Sequence, residues 1–511
     1  MHRTVGRAPL LIATVLCLIA LPLLPATAPA QQTGPVPAGE PVPPMVGPVN
    51  ARVPEPAALR LTRDLSALDV FRPGYPFWRH VFTVPDGAVA FGSGTDGRLL
   101  AVFPATADWT SAGRWHEPAY ASILADGRLP LRLDARRDEV ARLLEIAAAG
   151  PVLHNPTRGR FLMRNVPQYG AFLREWGEIY ERFGVPAELG LAQAIVESGL
   201  NGTIRSEARA IGFCQWLEGN WNKLKRLAPH VIEANNQTTQ APYCAAYLAI
   251  LATKYGSFVP ALSEHHAGGT NVGRILINGE RLGGEDVRAR YFLGSQFAVS
   301  LRQLSPARYS DLYRTYGPRS FRYAELVFGN MATVAELRES TPQQQIHAMR
   351  TTRVIPLTEI TRRTGLSDAE VKRYNPALVR QVPARATLYL PMRVAAFGSD
   401  VSFWQRPPTD AWADLLLEFL ALDAPPDRWD EPSFEAVLRD YQRRFERTGT
   451  EEGRVMAVVL AYVADETRAS RRGPILREFR DSHRIARLLD EAVSESLRAS
   501  GPLGEDPAIG R

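Results

Sequence analysis

From Asp134 onward, apolar residues recur at the three- and four-residue spacing of one helical face, and that rhythm confines the middle of the chain to packed helices. Val140, Leu143, Leu144 and Ile146 form one such stripe. Phe172, Trp176, Ile179, Tyr180 and Phe183 form the next, stopped by Gly184 and Pro186. The pattern continues through most of the stretch to Leu337 and predicts a helical domain over 134–340. Either side of it the rhythm changes. Over 59–133, β-leaning runs such as HVFTV and AVAFGSGTDGRLLAVF are broken by turn residues, which predicts a small, partly β accessory region. Its aromatics Phe77, Trp78, Trp109 and Trp115 fit core packing better than an exposed platform. Over 345–394 the pattern is short strand, two helices, short strand (TRVIPL, LTEITRRTG, SDAEVKRYN, ATLYLP), a βααβ module. Helical stripes return over 400–500, as in Trp412, Leu415, Leu416, Phe419 and Leu420. The expected class is mainly α, divided among several cores, because 511 residues exceed what one core holds.

The first thirty residues carry an address. His2, Arg3 and Arg7 precede an apolar run from Leu10 to Leu24, closed by Pro25 and the small-residue triplet Ala28-Pro29-Ala30. The run is shorter than the roughly 20 residues a membrane span needs, and Pro22 interrupts it. A secretory signal over 1–30 is therefore expected, with a periplasmic or cell-envelope destination. The Pro- and Gly-rich stretch 31–58 reads as a linker, and 501–511 as a disordered tail. Removal of the signal takes Cys17 with it and leaves Cys214 and Cys244. Export permits a bridge between them; two small buried thiols fit the sequence equally well. The net charge of +6 is spread over the chain without a block of Lys or Arg, which argues against nucleic acid as a partner.

Chemistry concentrates in PAELGLAQAIVESGLNGTIRSEARAIGFCQWLEGNW. An apolar helix carrying Leu189, Leu191, Ala192, Ile195 and Val196 delivers Glu197 near its C-terminal end, followed by Ser198 and Gly199. Apolar neighbours and the negative end of the helix dipole both disfavour the charged carboxylate, so Glu197 is expected to titrate high, as a general acid should.

The spacing resembles the catalytic signature of the soluble-lytic-transglycosylase family, which has a goose-type lysozyme fold: Glu-Ser, then a Ser, then Gly-Ala-x-Gly-x-x-Gln. Glu197, Ser198, Ser206, Ala210, Gly212 and Gln215 fall in place, with Arg209 where the signature has its first Gly. A second segment, YCAAYLAILATKYGSFVPALSEHHAGGTNVGRI, is similar to the family's Tyr-Asn-Ala-Gly region. Ala267 and Gly268 match, while His265 and His266 replace Tyr and Asn. SFRYAELVFGNM resembles the final helix, whose Tyr faces the Glu; Tyr323 matches best, with Tyr291 as the competing choice. The lead-in from Phe161 is similar to the D-type membrane-bound members. LTEITRRTGLSDAEVKRYNPALVRQVPARATLYLP resembles a degenerate LysM module, with Ile360, Leu366, Tyr374-Asn375-Pro376 and Leu388 to Pro391 in place and Arg353 to Leu357 substituted for its usual Gly-Asp-Thr-Leu opening.

The resemblance implies a lysozyme-like catalytic domain with peptidoglycan glycan strands as substrate and no cofactor. It implies that Glu197 protonates the oxygen between N-acetylmuramic acid and N-acetylglucosamine, that the substrate's acetamide assists, and that Glu197 then takes the 6-hydroxyl proton to leave a 1,6-anhydromuramoyl end. Ser206, Gln215, Gly268, His265 and His266 would contact sugar, and Tyr323 would hold the Glu. Two rivals stand beside this reading. A hydrolytic lysozyme needs a second carboxyl, for which Glu207, Glu218 and Glu264 are nearby in sequence. A non-catalytic peptidoglycan-binding or scaffold protein would accommodate Arg209, His265 and His266. Adjacent His residues without a spaced third ligand make a poor zinc site, so no metal is expected. The helices of 400–500 are candidates for association with cell-wall or envelope proteins.

Overall fold

The computed structural model describes residues 53–124, 128–228, 233–304, 307, 321–392, 394–402, 411–423 and 432–499, and over these the protein is mainly α. The expected signal, nearly all of the linker and the expected tail lie outside the described residues.

Helix α1 (Glu55–Phe71) starts inside the expected linker and runs through the start of the expected β region, which corrects both boundaries. Its buried face is Ala57, Arg60, Asp64 and Leu68, so charged residues interrupt the apolar stripe by which a helix is read. Asp64 is fully buried yet satisfied: it accepts from the Ser257 hydroxyl (2.6 Å), the Phe258 amide (2.7 Å) and Arg288 Nε (2.6 Å). After the short helix α2 (Arg79–Thr83), strands β1 (Ala88–Ser93), β2 (Leu99–Pro104), β3 (Arg114–Trp115) and β4 (Val152–Pro156) form an antiparallel sheet in the order β3-β2-β1-β4. Helix α3 (Leu133–Leu144) covers it, packing Val140, Ala141 and Leu144 against Val89, Phe91, Leu100 and Phe103. The partly β unit therefore extends to Pro156 and takes α3 with it, a correction to the expected break at 133. Ile146 leaves the stripe because the helix relaxes into a π turn at Glu145–Ala149, and its side chain is exposed. Trp109 is core: it stacks on Phe103 at 4.9 Å. Phe77 and Trp78 are buried as well.

The central body is built from α4 (Gly159–Met163), α5 (Val166–Tyr169), α6 (Leu173–Arg182), α7 (Ala187–Ser198), α8 (Glu218–Leu227), α9 (Gln237–Tyr255), α10 (Phe258–Ala267), α11 (Gly269–Arg281), α12 (Val287–Leu304), α13 (Tyr323–Gly329) and α14 (Met331–Ser340). Helix α7 is nearly all buried between its neighbours, as a chain with apolar residues on every side must be. A hairpin of β5 (Ala210–Ile211) and β6 (Trp216–Leu217) follows it.

Strand β7 (His347–Thr351) opens the expected βααβ module and is followed by β8 (Ile355–Pro356), α15 (Leu357–Thr364), α16 (Asp368–Tyr374), β9 (Gln381–Val382) and β10 (Thr387–Leu390). β7 and β10 pair antiparallel, with Leu388 opposite Met349, over a core separate from that of the central body. A further strand, β11 (Val401–Ser402), adds to β7, so the module ends at about 402 rather than 394. Arg353 bridges Glu359 and Asp400, which gives the substituted opening segment its own anchor. Asn375 ties α16 to β10 through both the amide and the carbonyl of Tyr389. Tyr374 faces the central body, its ring 4.8 Å from that of Phe172.

Helices α17 (Ala411–Leu420), α18 (Pro432–Arg447), α19 (Glu451–Ala469), α20 (Arg472–Arg480) and α21 (His483–Ala499) complete the described chain. Their apolar residues, including Leu416, Phe419, Leu438, Met456, Leu460 and Phe479, belong to the same core as α7 and α9. The C-terminal region is thus part of the central body. Among the described residues, no single helix is long and apolar enough to cross a membrane.

Candidate functional site

Helix α7 ends where it does because Gly199 takes the left-handed conformation (φ 56°) under the backbone of Phe161, where a Cβ would lie 2.2 Å from the Phe161 carbonyl oxygen. Asn165 holds the turn by donating to the Gly199 carbonyl (2.9 Å). Ser198 is fully buried and donates to the Phe213 carbonyl (3.1 Å), stitching the helix end to the following loop. Glu197 therefore sits on a rigid helix terminus at the floor of a groove of about 1140 Å³.

One oxygen of Glu197 gathers three neighbours. The Tyr323 hydroxyl, at the start of α13, donates to Oε1 at 2.5 Å. His265 Nε2 lies 3.8 Å and His266 Nδ1 3.9 Å from the same Oε1. Tyr291 is not part of this cluster; its hydroxyl bonds Ser263 at 2.5 Å. The two His residues differ in kind. His265 has a side chain only 5% exposed and bonds the Cys214 carbonyl through Nε2 (2.8 Å), and burial lowers its pKa. His266 is 36% exposed, and its ring stacks on Tyr323 at 4.3 Å and 6°. Of the expected pair of sugar contacts, His266 is the one with a surface to offer.

The expectation that Glu197 titrates high is corrected. Burial does push its carboxyl up, but the contact and charge of His266, the charge of His265 and the Tyr323 hydrogen bond outweigh it, and the carboxyl is held below its ordinary value. The Tyr323 hydroxyl is driven well above its own ordinary range, first by burial and then by the Glu197 charge, so it stays a donor. Gln193, one helical turn before Glu197 and almost wholly buried, adds a polar neighbour to the Tyr323 oxygen that the sequence reading did not single out.

The hairpin after α7 forms one wall. Ser206 accepts the Ala210 amide on its hydroxyl oxygen (3.0 Å), which leaves its hydrogen to donate. Gln215 spends its amide nitrogen on the carbonyls of Gly212 (3.0 Å) and Ile204 (3.3 Å), so it braces the loop. Arg209 and Gln215 both hold left-handed backbones, with φ 63° and 49°. The position at which the signature has Gly thus keeps a Gly-like conformation with Arg in it, and the Arg209 side chain pairs with Glu218. Cys214 and Cys244 are joined in a disulfide that fastens this loop to α9. Gly268, at φ 82°, turns the chain from α10 into α11 along the same groove.

The opposite wall was not legible in sequence. Tyr462, Glu466, Thr467 and Ser470 of the C-terminal helices line the groove with Arg472. Among the described acidic residues that line it, Glu264 is bound by Lys254 (2.7 Å), Tyr255 and Arg472 (3.2 Å), and Glu466 pairs with Lys223. Glu218, outside the lining, is shared by Arg205 and Arg209. Among the described residues, Glu197 is the groove carboxyl without a Lys or Arg partner. Among the described residues, no three His, Cys, Asp or Glu groups come together as a metal set.

No protein-family model matches the chain, and no curated protein matches it in sequence.

Proposed function

We propose that the protein is an exported lytic transglycosylase that cleaves the β-1,4 bond between N-acetylmuramic acid and N-acetylglucosamine in peptidoglycan, with a lysozyme-like catalytic domain and a LysM-like βααβ module. The observation that carries this reading is Glu197: a carboxyl on a rigid helix end, hydrogen-bonded by a buried tyrosine, in a groove whose other described acids are neutralised by Lys or Arg. A hydrolase ordinarily uses a second free carboxyl. A reaction in which the substrate supplies its own nucleophile does not.

In this scheme protonated Glu197 gives its proton to the bridging oxygen as the acetamide carbonyl closes on the anomeric carbon. The Glu197 carboxylate then recovers a proton from the 6-hydroxyl as that oxygen closes the anhydro ring, so each turnover returns the acid to its starting state. Tyr323, His265 and His266 converge on Oε1, which leaves Oε2 to carry the proton into the groove. Tyr323 stabilises the intermediate carboxylate, Ser206 offers a donor to the sugar, and Gln215 keeps the wall in shape. The groove's size suits several sugar rings, and its mixed lining of aromatic, hydroxyl and cationic groups suits a glycan bearing acidic peptides. Digestion of purified sacculi by the full mature chain, read by mass spectrometry, tests the reading. Products ending in 1,6-anhydromuramic acid, lighter by one water than reducing ends, are expected. Reducing ends would assign a hydrolase, and binding without soluble product a scaffold.

A further inference from the structure

The cations that line the groove are engaged by the protein itself, with one exception. Lys254 and Arg472 hold Glu264 (2.7 and 3.2 Å), Arg205 reaches Glu218 (3.5 Å) and Arg274 donates to Asn271 Oδ1 (3.4 Å). Arg158 lines the same groove, half-buried, and among the described residues no acid pairs with it. Its place is fixed all the same. The Arg158 amide donates to the Val81 carbonyl (2.6 Å), its carbonyl accepts from the Phe161 amide (3.0 Å), and its guanidinium lies over the Phe161 ring at 4.6 Å. Phe161 in turn packs against the end of α7: a Cβ on Gly199 would meet its carbonyl oxygen at 2.2 Å and its ring at 3.2 Å. The cation is thus seated beside the turn that ends the Glu197 helix, without touching Glu197 itself. Stacking occupies the face of a guanidinium and leaves its N–H edge, the edge that takes a carboxylate in a two-pronged bond. Phe161, Val196 and Leu326, all partly buried, line the groove with it, so the cation stands next to apolar surface.

We propose that Arg158 and the Phe161 ring form a subsite for a carboxylate that the glycan carries outside its sugar rings. This rests on the peptidoglycan reading above. There the carboxylate belongs to the acidic peptide on N-acetylmuramic acid, or to the lactyl group itself once the peptide has been removed. Both ligands pair a short alkyl segment with an acid, and the subsite pairs apolar side chains with a cation. A half-buried guanidinium has given up part of its hydration, and a ligand carboxylate is the group that restores its hydrogen bonds. A neutral polymer of N-acetylglucosamine offers no such anion, so the subsite selects muramic-acid glycan and sets which ring lies over Glu197. Arg158 is therefore a binding residue, and the proton transfers stay with Glu197.

The test reads binding on the full mature chain carrying Glu197→Gln, so that no turnover enters. Calorimetry uses three tetrasaccharide probes: alternating N-acetylglucosamine and N-acetylmuramic acid with the peptides attached, the same glycan after an amidase has removed them, and neutral tetra-N-acetylglucosamine. Adding Arg158→Met keeps an apolar side chain on Phe161 and removes the charge. It should raise the Kd of an acidic probe roughly 10- to 100-fold, the loss of one hydrogen-bonded charge pair, and leave the neutral probe unchanged. Arg158→Lys, a point charge without the fork, should recover part of the loss. Loss confined to one acidic probe names the source of the carboxylate, and loss in both means that the fork takes either acid. No loss with either acidic probe, an equal loss with the neutral one, or no measurable binding of the acidic probes overturns the subsite. The lytic reading is decided separately, by the anhydro products.

Discussion

The bond between Cys214 and Cys244 joins residues 30 apart and fixes the loop that carries Gln215 and the His265 acceptor to the buried helix α9. Closing a loop of about 30 residues removes roughly 12 cal/mol/K of entropy from the unfolded chain, or about 3 to 4 kcal/mol at room temperature. Both cysteines are buried, so the two thiols left by reduction remain in the core. Urea denaturation of the central body, followed by tryptophan fluorescence with and without reductant, should show the loss. Trp176, Trp216 and Trp221 all report from that core. The Cys214→Ala/Cys244→Ala variant should match the reduced wild type within the cost of two small cavities and should not respond to reductant. Reduced protein as stable as oxidised protein, to within about 1 kcal/mol, would refute the loop-closure argument, because the same loop would then be held by its other contacts alone.

Other consequences are smaller or more local. Tyr323→Phe removes a hydrogen bond to a carboxylate, a loss of about 1.5 to 3 kcal/mol, so the cleavage rate should fall roughly 10- to 100-fold with the fold intact by circular dichroism; an unchanged rate would remove Tyr323 from the site. Arg209→Gly relieves a left-handed side-chain-bearing residue at about 1 kcal/mol, against an exposed ion pair of little worth, so thermal stability should rise slightly; a loss above about 1 kcal/mol would contradict that. Burial, aided by Glu178, pushes the Glu175 carboxyl from 4.5 up to about 7. Its folded form therefore binds the proton more tightly than the unfolded chain does, and stability should fall as pH rises from 4.5 to 7 and then level off. Glu175→Gln should abolish that fall, a gain of up to about 3 kcal/mol above pH 7 and none below 4.5; equal pH profiles for variant and wild type would show that Glu175 is not the group.

What could be read from the sequence was what is local in it. Glu197 and the loop residues Ser206 and Gln215 fall within nineteen positions, and all three line the same groove. The two helices and closing strand over 357–390 were legible for the same reason, whereas the opening strand β7 lies just before the expected TRVIPL run, of which only Ile355–Pro356 is strand, and β9 carried no signal of its own. Helix α1 was missed because Arg60 and Asp64 occupy its buried face, so the stripe that marks a helix is broken by charges that distant partners such as Ser257, Phe258, Arg288 and Leu420 make acceptable. Strand β4 was assigned to the wrong unit because its partner β1 lies some sixty residues earlier and pairing leaves no local mark. The titration of Glu197 was misjudged on the same grounds. Its apolar helix neighbours are visible in sequence, while the imidazoles that outweigh them arrive from α10. The second wall of the groove comes from helices more than 250 residues downstream, whose period was plain and whose docking was not.

The central claim is that Glu197 is the proton donor, and Glu197→Gln tests it most directly, because the exchange keeps the shape and removes the transferable proton. Purified sacculi incubated with the full mature variant should release no anhydromuramoyl products above the enzyme-free control, while the variant's circular dichroism and its sedimentation with sacculi match those of the wild type. Release at or near the wild-type rate would mean that the bond is broken by some other group.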